Sequence, residues 1–145
     1  MSTLEHSIQI QRPITVVYAA LTDFDHMKDW QPSLIHIALT SGSPLRAGSM
    51  LSMDKRFGGG QTFVNADFLE VQRNQVLEYQ GLHGRFRFRR RIELTSNGTS
   101  TTLKDVMTLQ IGFFLSLFFF WYPGAIRRQH QDEWQRLKQL LESKR

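Results

Sequence analysis

The residues with the most chemical potential sit in two consecutive segments, "RFRFRRRIEL" (85–94) and "TTLKDVMTLQI" (101–111). Both alternate with the period of two that sends successive side chains to opposite faces of a strand. With Asn97-Gly98 as the central pair of a hairpin turn, Ser96 pairs with Thr99, Phe86 faces Leu109, Phe88 faces Met107 and Ile92 faces Leu103. That face is apolar except where Arg90 lies opposite Asp105. Neither charge is tolerable alone in such surroundings, but each satisfies the other. A pair of this kind can orient the polar end of a ligand in an apolar pocket. Asp105 is also a candidate for moving a proton. The opposite face carries Arg85, Arg87, Arg89 and Arg91. Its simplest reading is a solvated surface that discourages sheet aggregation, and its sharper reading is a site for anionic lipid or nucleic acid.

Other reactive types are dispersed. His36 lies in "LIHIAL" and His130 on a C-terminal apolar stripe. Each reads first as a satisfied core histidine and second as a cavity group able to carry a proton. Trp30 is an anchor or a cavity wall. Asp23, His26 and Asp29 are close in sequence, but helix capping and a solvated loop explain them, and no metal site is assigned. "FGGGQ" lacks the lysine and following helix of a phosphate loop and reads as a hairpin turn. With no cysteine, disulfides, thiolate metal sites and a thiol nucleophile are excluded. No residue set implies a cofactor.

These side chains must be positioned by strands and a few helices. "HSIQI" alternates as a first strand, and "RPITVVYAALTDF" places Val17, Ala20, Leu21 and Phe24 at helical spacing behind Pro13. "DHMKDW" makes a second short helix. Strands follow in "LIHIAL", "SMLSMDKRF", "QTFVNADFLEV", "VLEYQGL" and the two segments above, separated by turn-forming residues. Ile126, His130, Trp134, Leu137 and Leu141 form one stripe of an amphipathic helix. The plan is α+β, with no linker or repeat to divide residues 1–145. Net charge is +5 and 41% of residues are apolar, ordinary for a globular chain. Basic charge alone does not imply nucleic acid, which is not assigned as a partner. The start, "MSTLEHSIQIQRP", has no signal-peptide pattern, so the expected location is cytoplasmic.

One stretch resists this plan. "GFFLSLFFFWYP" (112–123) holds nine large apolar side chains and no charge. It is too short to span a bilayer. Tyr122, Phe119 and Leu115 continue the stripe backwards, which predicts one long helix from about Phe114 to Ser143, bent at Pro123. Phe113, Phe114, Leu117, Phe118 and Trp121 are then expected to be buried as a cavity roof. Their density leaves open a peripheral membrane or dimer contact through Phe113 to Tyr122.

The chain resembles the START-like (SRPBCC) superfamily, which includes polyketide cyclases, plant-allergen-like proteins and lipid-transfer domains. The resemblance rests on "SIQIQRPITVVYAALTDFDHMKDWQPSLI", on "PLRAGSM" with "FLEVQRNQVLEY", and on "NGTSTTLKDVMTL" leading to "EWQRLKQLLE". It implies a helix-grip fold: a curved seven-stranded antiparallel sheet around a long C-terminal helix, with two short helices after strand 1. It also implies an apolar cavity for a hydrophobic or amphipathic small molecule. On this reading Arg90, Asp105, Phe86, Phe88, Met107, Trp30, His36, Phe118, Trp121 and His130 are the candidate ligand contacts. The expected role is carrier or sensor. A cyclase or dehydratase and a membrane-proximal lipid or quinone chaperone are the alternatives.

Overall fold

The structure is a computed structural model that describes residues 2–42, 44–57 and 59–144. Seven strands form one antiparallel sheet: β1 (Ser2–Ile10), β2 (Leu34–Leu39), β3 (Met50–Phe57), β4 (Gly60–Gln72), β5 (Val76–His83), β6 (Phe86–Ser96) and β7 (Thr101–Gln110). Their order across the sheet is β1-β7-β6-β5-β4-β3-β2. Between β1 and β2 lie α1 (Ile14–Thr22) and a 3₁₀ helix, Phe24–Asp29. The chain ends in α2 (Phe113–Phe118) and α3 (Tyr122–Ser143).

The period-2 patterns sort the strands cleanly. Leu103, Asp105, Met107 and Leu109 of β7 face inward, as do Phe86, Phe88, Arg90, Ile92 and Leu94 of β6. Ile126, His130, Trp134, Leu137 and Leu141 of α3 are buried, and Ile126 and Leu137 have no exposed surface. Sheet curvature brings β4 and β5 close at Gly81, where a Cβ would fall 1.8 Å from the Asn65 carbonyl oxygen. Only glycine fits there. A bulge between Phe68 and Glu70 adds to the bend.

Two expectations need correction. The β6–β7 register is displaced by two residues: Phe88 pairs with Leu109, Arg90 with Met107, Ile92 with Asp105 and Ser96 with Thr101. The loop is Asn97–Ser100, closed by an Asn97 N–H to Ser100 carbonyl bond of 2.8 Å, with Gly98 at φ 83°. Because the shift is even, every side chain keeps its face. Arg90 therefore reaches Asp105 diagonally.

The second correction concerns residues 113–122. They do not open a single long helix bent at Pro123. α2 ends at Phe118, and α3 begins at Tyr122 with proline in its first turn, where a missing N–H costs nothing. No residue of α2 is buried. Phe113, Phe114, Phe118 and Phe120 are 73–79% exposed, and Leu117 is 62% exposed. The expected roof is a protrusion, because the β7 end, Phe119 and Tyr122 already close this end of the core.

Candidate functional site

The interior between sheet and α3 holds a buried polar network. Arg90 donates twice to Asp105, from Nε to Oδ1 at 2.8 Å and from Nη2 to Oδ2 at 2.7 Å. Its Nη1 donates to the Tyr79 hydroxyl at 3.1 Å, and Trp134 Nε1 donates to Asp105 Oδ2 at 2.8 Å. The guanidinium also lies 5.4 Å from the Trp134 ring centroid, within cation–π range. Burial alone would lower the pKa of Arg90, but Asp105 and Tyr79 outweigh it and raise the value, so the cation is held. The pair is thus oriented from both sides, by the sheet through Tyr79 and by α3 through Trp134.

A second buried pair was missed by sequence reasoning. Lys55 Nζ lies 3.0 Å from Glu133 Oε2, with both side chains about 5% exposed or less. The signal was present. Lys55 shares the strand parity of Leu51 and Met53, and Glu133 follows His130 by three residues on the buried stripe. Toward the α2 end, His83 Nδ1 and the Tyr122 hydroxyl are 2.6 Å apart. Burial and then Lys55 push the His83 pKa down to about 4. His130 lies 3.8 Å from Asp105 through Nδ1, and its pKa is lowered by burial, then by Arg90 and Lys55. Both imidazoles are neutral at pH 7.

Two small voids flank this network. The larger, about 50 Å³, is lined by Leu21, Phe24, Met27, Trp30, Gln31 and Leu51, with Phe68, Leu77, Arg90 and Trp134 behind them. The smaller, about 20 Å³, touches Val64, His83, Phe88, Met107 and His130. Met53, Lys55, Tyr79 and Arg90 line both. Trp30 stacks on Trp134 at 5.4 Å between centroids. Gln31 lines the larger void, and its Oε1 is a buried acceptor with no hydrogen-bond partner. Buried polar atoms are ordinarily satisfied, so this oxygen marks where a donor would be received.

Of the candidate contacts, Trp30, Phe88, Arg90, Met107 and His130 line a void. Asp105 stands behind Arg90. Phe86 is buried against Phe119 and Tyr122, beyond the voids. Three expected positions need correction. His36 is exposed, because the bulge at Leu34/His36 on edge strand β2 turns it outward. Phe118 is in solvent, and Trp121 is 43% exposed, stacked on Phe57 at 6.5 Å. Asp23 and His26 form an exposed pair at 2.9 Å.

The arginine row is not uniform. Arg89 bonds Glu78 at 2.6 Å, and Arg91 reaches Glu70, Glu78 and Glu93. Burial would raise the Glu78 pKa, but its bonds to Arg89 and Arg91 lower it. Among the described residues no carboxylate pairs with Arg85 or Arg87.

A family described as polyketide cyclase / dehydrase and lipid transport matches residues 1–142, and the chain belongs to it. No curated protein matches it. Similar solved structures include a Thermus thermophilus protein (13% identity, TM-score 0.79, 95% of each chain covered). The Zhui aromatase/cyclase of a Streptomyces species is 10% identical, with TM-score 0.75 and 97% and 93% of the two chains covered. Major latex-like protein 151 of Panax ginseng is 9% identical, with TM-score 0.74 and 94% and 95% covered. At these identities the likeness concerns the fold, which is the START-like helix-grip: a curved antiparallel sheet with a long C-terminal helix.

Proposed function

We propose that this protein binds an apolar small molecule carrying a hydroxyl or similar donor, in the space between the sheet and α3. The observation that carries this is the void lined by Trp30, Gln31, Trp134 and aliphatic side chains, where Gln31 Oε1 is buried without a hydrogen-bond partner. Family membership supports the class, since members described by that family handle polyketides or lipids. Ligand pockets usually occupy about 300–1,000 Å³, far more than the voids described. The ligand must therefore displace something. Phe24, Met27 and Trp30 lie on one wall, in and just after a six-residue 3₁₀ helix without side-chain caps, which is the element best suited to yield.

A carrier role is favoured over catalysis by the state of Asp105. Its oxygens accept three hydrogen bonds from Arg90 and Trp134, and Asp105 lines neither void. A general base needs a lone pair within reach of the substrate proton. The pair is better suited to fixing Trp134 and Tyr79 as cavity walls.

The test compares 2-naphthol with naphthalene, followed by tryptophan fluorescence. We expect 2-naphthol to bind more tightly by roughly fivefold or more, the worth of one hydrogen bond to a buried acceptor. Gln31→Leu should erase the difference. Equal binding of the two by the wild type, or a difference that survives Gln31→Leu, would refute the assignment.

A further inference from the structure

The α2 protrusion has no place in a cavity-binding function. At about 100° per residue, its five large apolar residues, 113, 114, 115, 117 and 118, cover an arc of about 200° around the helix, and Ser116 occupies the remaining side. Adding Phe120 and Trp121 gives exposed apolar surface on the order of 800 Å². The largest patch on an ordinary soluble monomer is about 300–600 Å².

The charges around it point to what covers it. Cut at one level across β1 and β4 to β7, residues 2–4, 59–66, 81–88 and 109–131 supply the strand ends and α2 at this end, and none is acidic; the first carboxylates inward on these strands are Asp67 and Glu5. The same segments hold Arg85, Arg87, Arg127 and Arg128, all exposed. The Arg85 guanidinium lies 5.8 Å from the Phe119 ring centroid. Arg85 and Arg87, with Gln110, Gly112 and Leu115, line an open cleft of about 400 Å³ at the foot of α2. In mid-sheet, by contrast, Arg89 and Arg91 are neutralised by glutamates.

We propose that this end docks on an anionic lipid bilayer, with α2 inserted at the interface and Arg85 and Arg87 holding headgroup phosphates. An apolar projection ringed by cations is the pattern of interfacial anchoring. A knob exposed on most sides suits a fluid medium better than a flat partner face. A two-fold contact with a second copy would bring the same arginines against one another. Insertion is peripheral, because no helix among the described residues is long and apolar enough to cross a membrane.

The test is co-sedimentation of the full chain with phosphatidylcholine vesicles, with and without phosphatidylglycerol. Trp30 and Trp134 are buried, so a blue shift on vesicle addition reports Trp121, and Trp121→Phe should abolish it. We expect binding to the anionic vesicles that weakens with salt. Phe114→Ser with Phe118→Ser should weaken it by about a hundredfold, and Arg85→Gln or Arg87→Gln by roughly fivefold each. These side chains are exposed, and unchanged circular dichroism will confirm that the variants fold. Three results would overturn the proposal: no binding to anionic vesicles, binding indifferent to the serine pair, or a dimer that the serine pair dissociates in place of any vesicle binding.

Discussion

α2 and α3 are neighbours in sequence, both rich in large side chains, and they meet opposite fates. α3 spreads its apolar residues over one stripe, mixes in Glu133 and His130, and buries all of these except Ala125 and Leu140, which are partly buried. α2 is apolar over an arc of about 200°, with only Ser116 behind it, and buries nothing. A helix packed on a sheet needs one apolar stripe and a polar back. A segment without a polar back leaves apolar surface uncovered when it can pack on one side only. Apolar density is therefore a poorer guide to burial than apolar periodicity.

The contrast can be broken most strongly from the buried side. Arg90→Met leaves Asp105 charged and unpaired, and we expect a loss of roughly 3–5 kcal/mol in chemical denaturation. Adding Asp105→Leu should restore part of it. The recovery will fall short by about 1–3 kcal/mol, because Trp134 Nε1 and the Tyr79 hydroxyl then lack partners. A single substitution costing under 1 kcal/mol would mean that the network is solvated rather than buried.

That network was only half legible in the sequence. Strand parity placed Arg90 and Asp105 on one face, and no two-residue shift of register can undo parity. The register itself was not legible, since Asn97-Gly98 serves a two-residue turn or a four-residue loop equally well, with Gly98 at positive φ. The outward turn of His36 depends on a bulge that no local pattern announces. Lys55 and Glu133 were legible by parity and stripe, but a charge on each element suggests solvent until the two are seen to meet. The fates of Phe118 and Trp121 depend on which element already fills the end of the core, a tertiary fact.

Acid probes the same interior with a smaller effect. His83 has a folded pKa of about 4 against 6.5 when unfolded, so between these values the unfolded chain binds the extra proton. Stability is full above pH 6.5 and falls as pH drops toward 4, by about 3 kcal/mol. His130 shifts in the same direction and adds to the loss. Denaturation midpoints at pH 7, 5.5 and 4.5 will read the slope. In His83→Gln the slope should flatten, and an unchanged slope would mean that His83 is protonated in the fold.

The exposed side should respond least. Phe114→Ser with Phe118→Ser removes two large apolar groups, yet we expect stability in solution to change by no more than about 0.5 kcal/mol. A loss of about 3 kcal/mol or more would mean that α2 packs in solution, and the contrast with α3 would fall.

The central claim, a small molecule held between sheet and α3, is tested most directly by native mass spectrometry of the protein isolated from the organism that encodes it. Leu51→Trp fills the larger void at an overpacking cost of about 1–3 kcal/mol, which leaves the fold intact. We expect one apolar molecule bound per wild-type chain and none bound to Leu51→Trp. A wild-type chain that carries no molecule, or a Leu51→Trp chain that carries the same one, would contradict the claim.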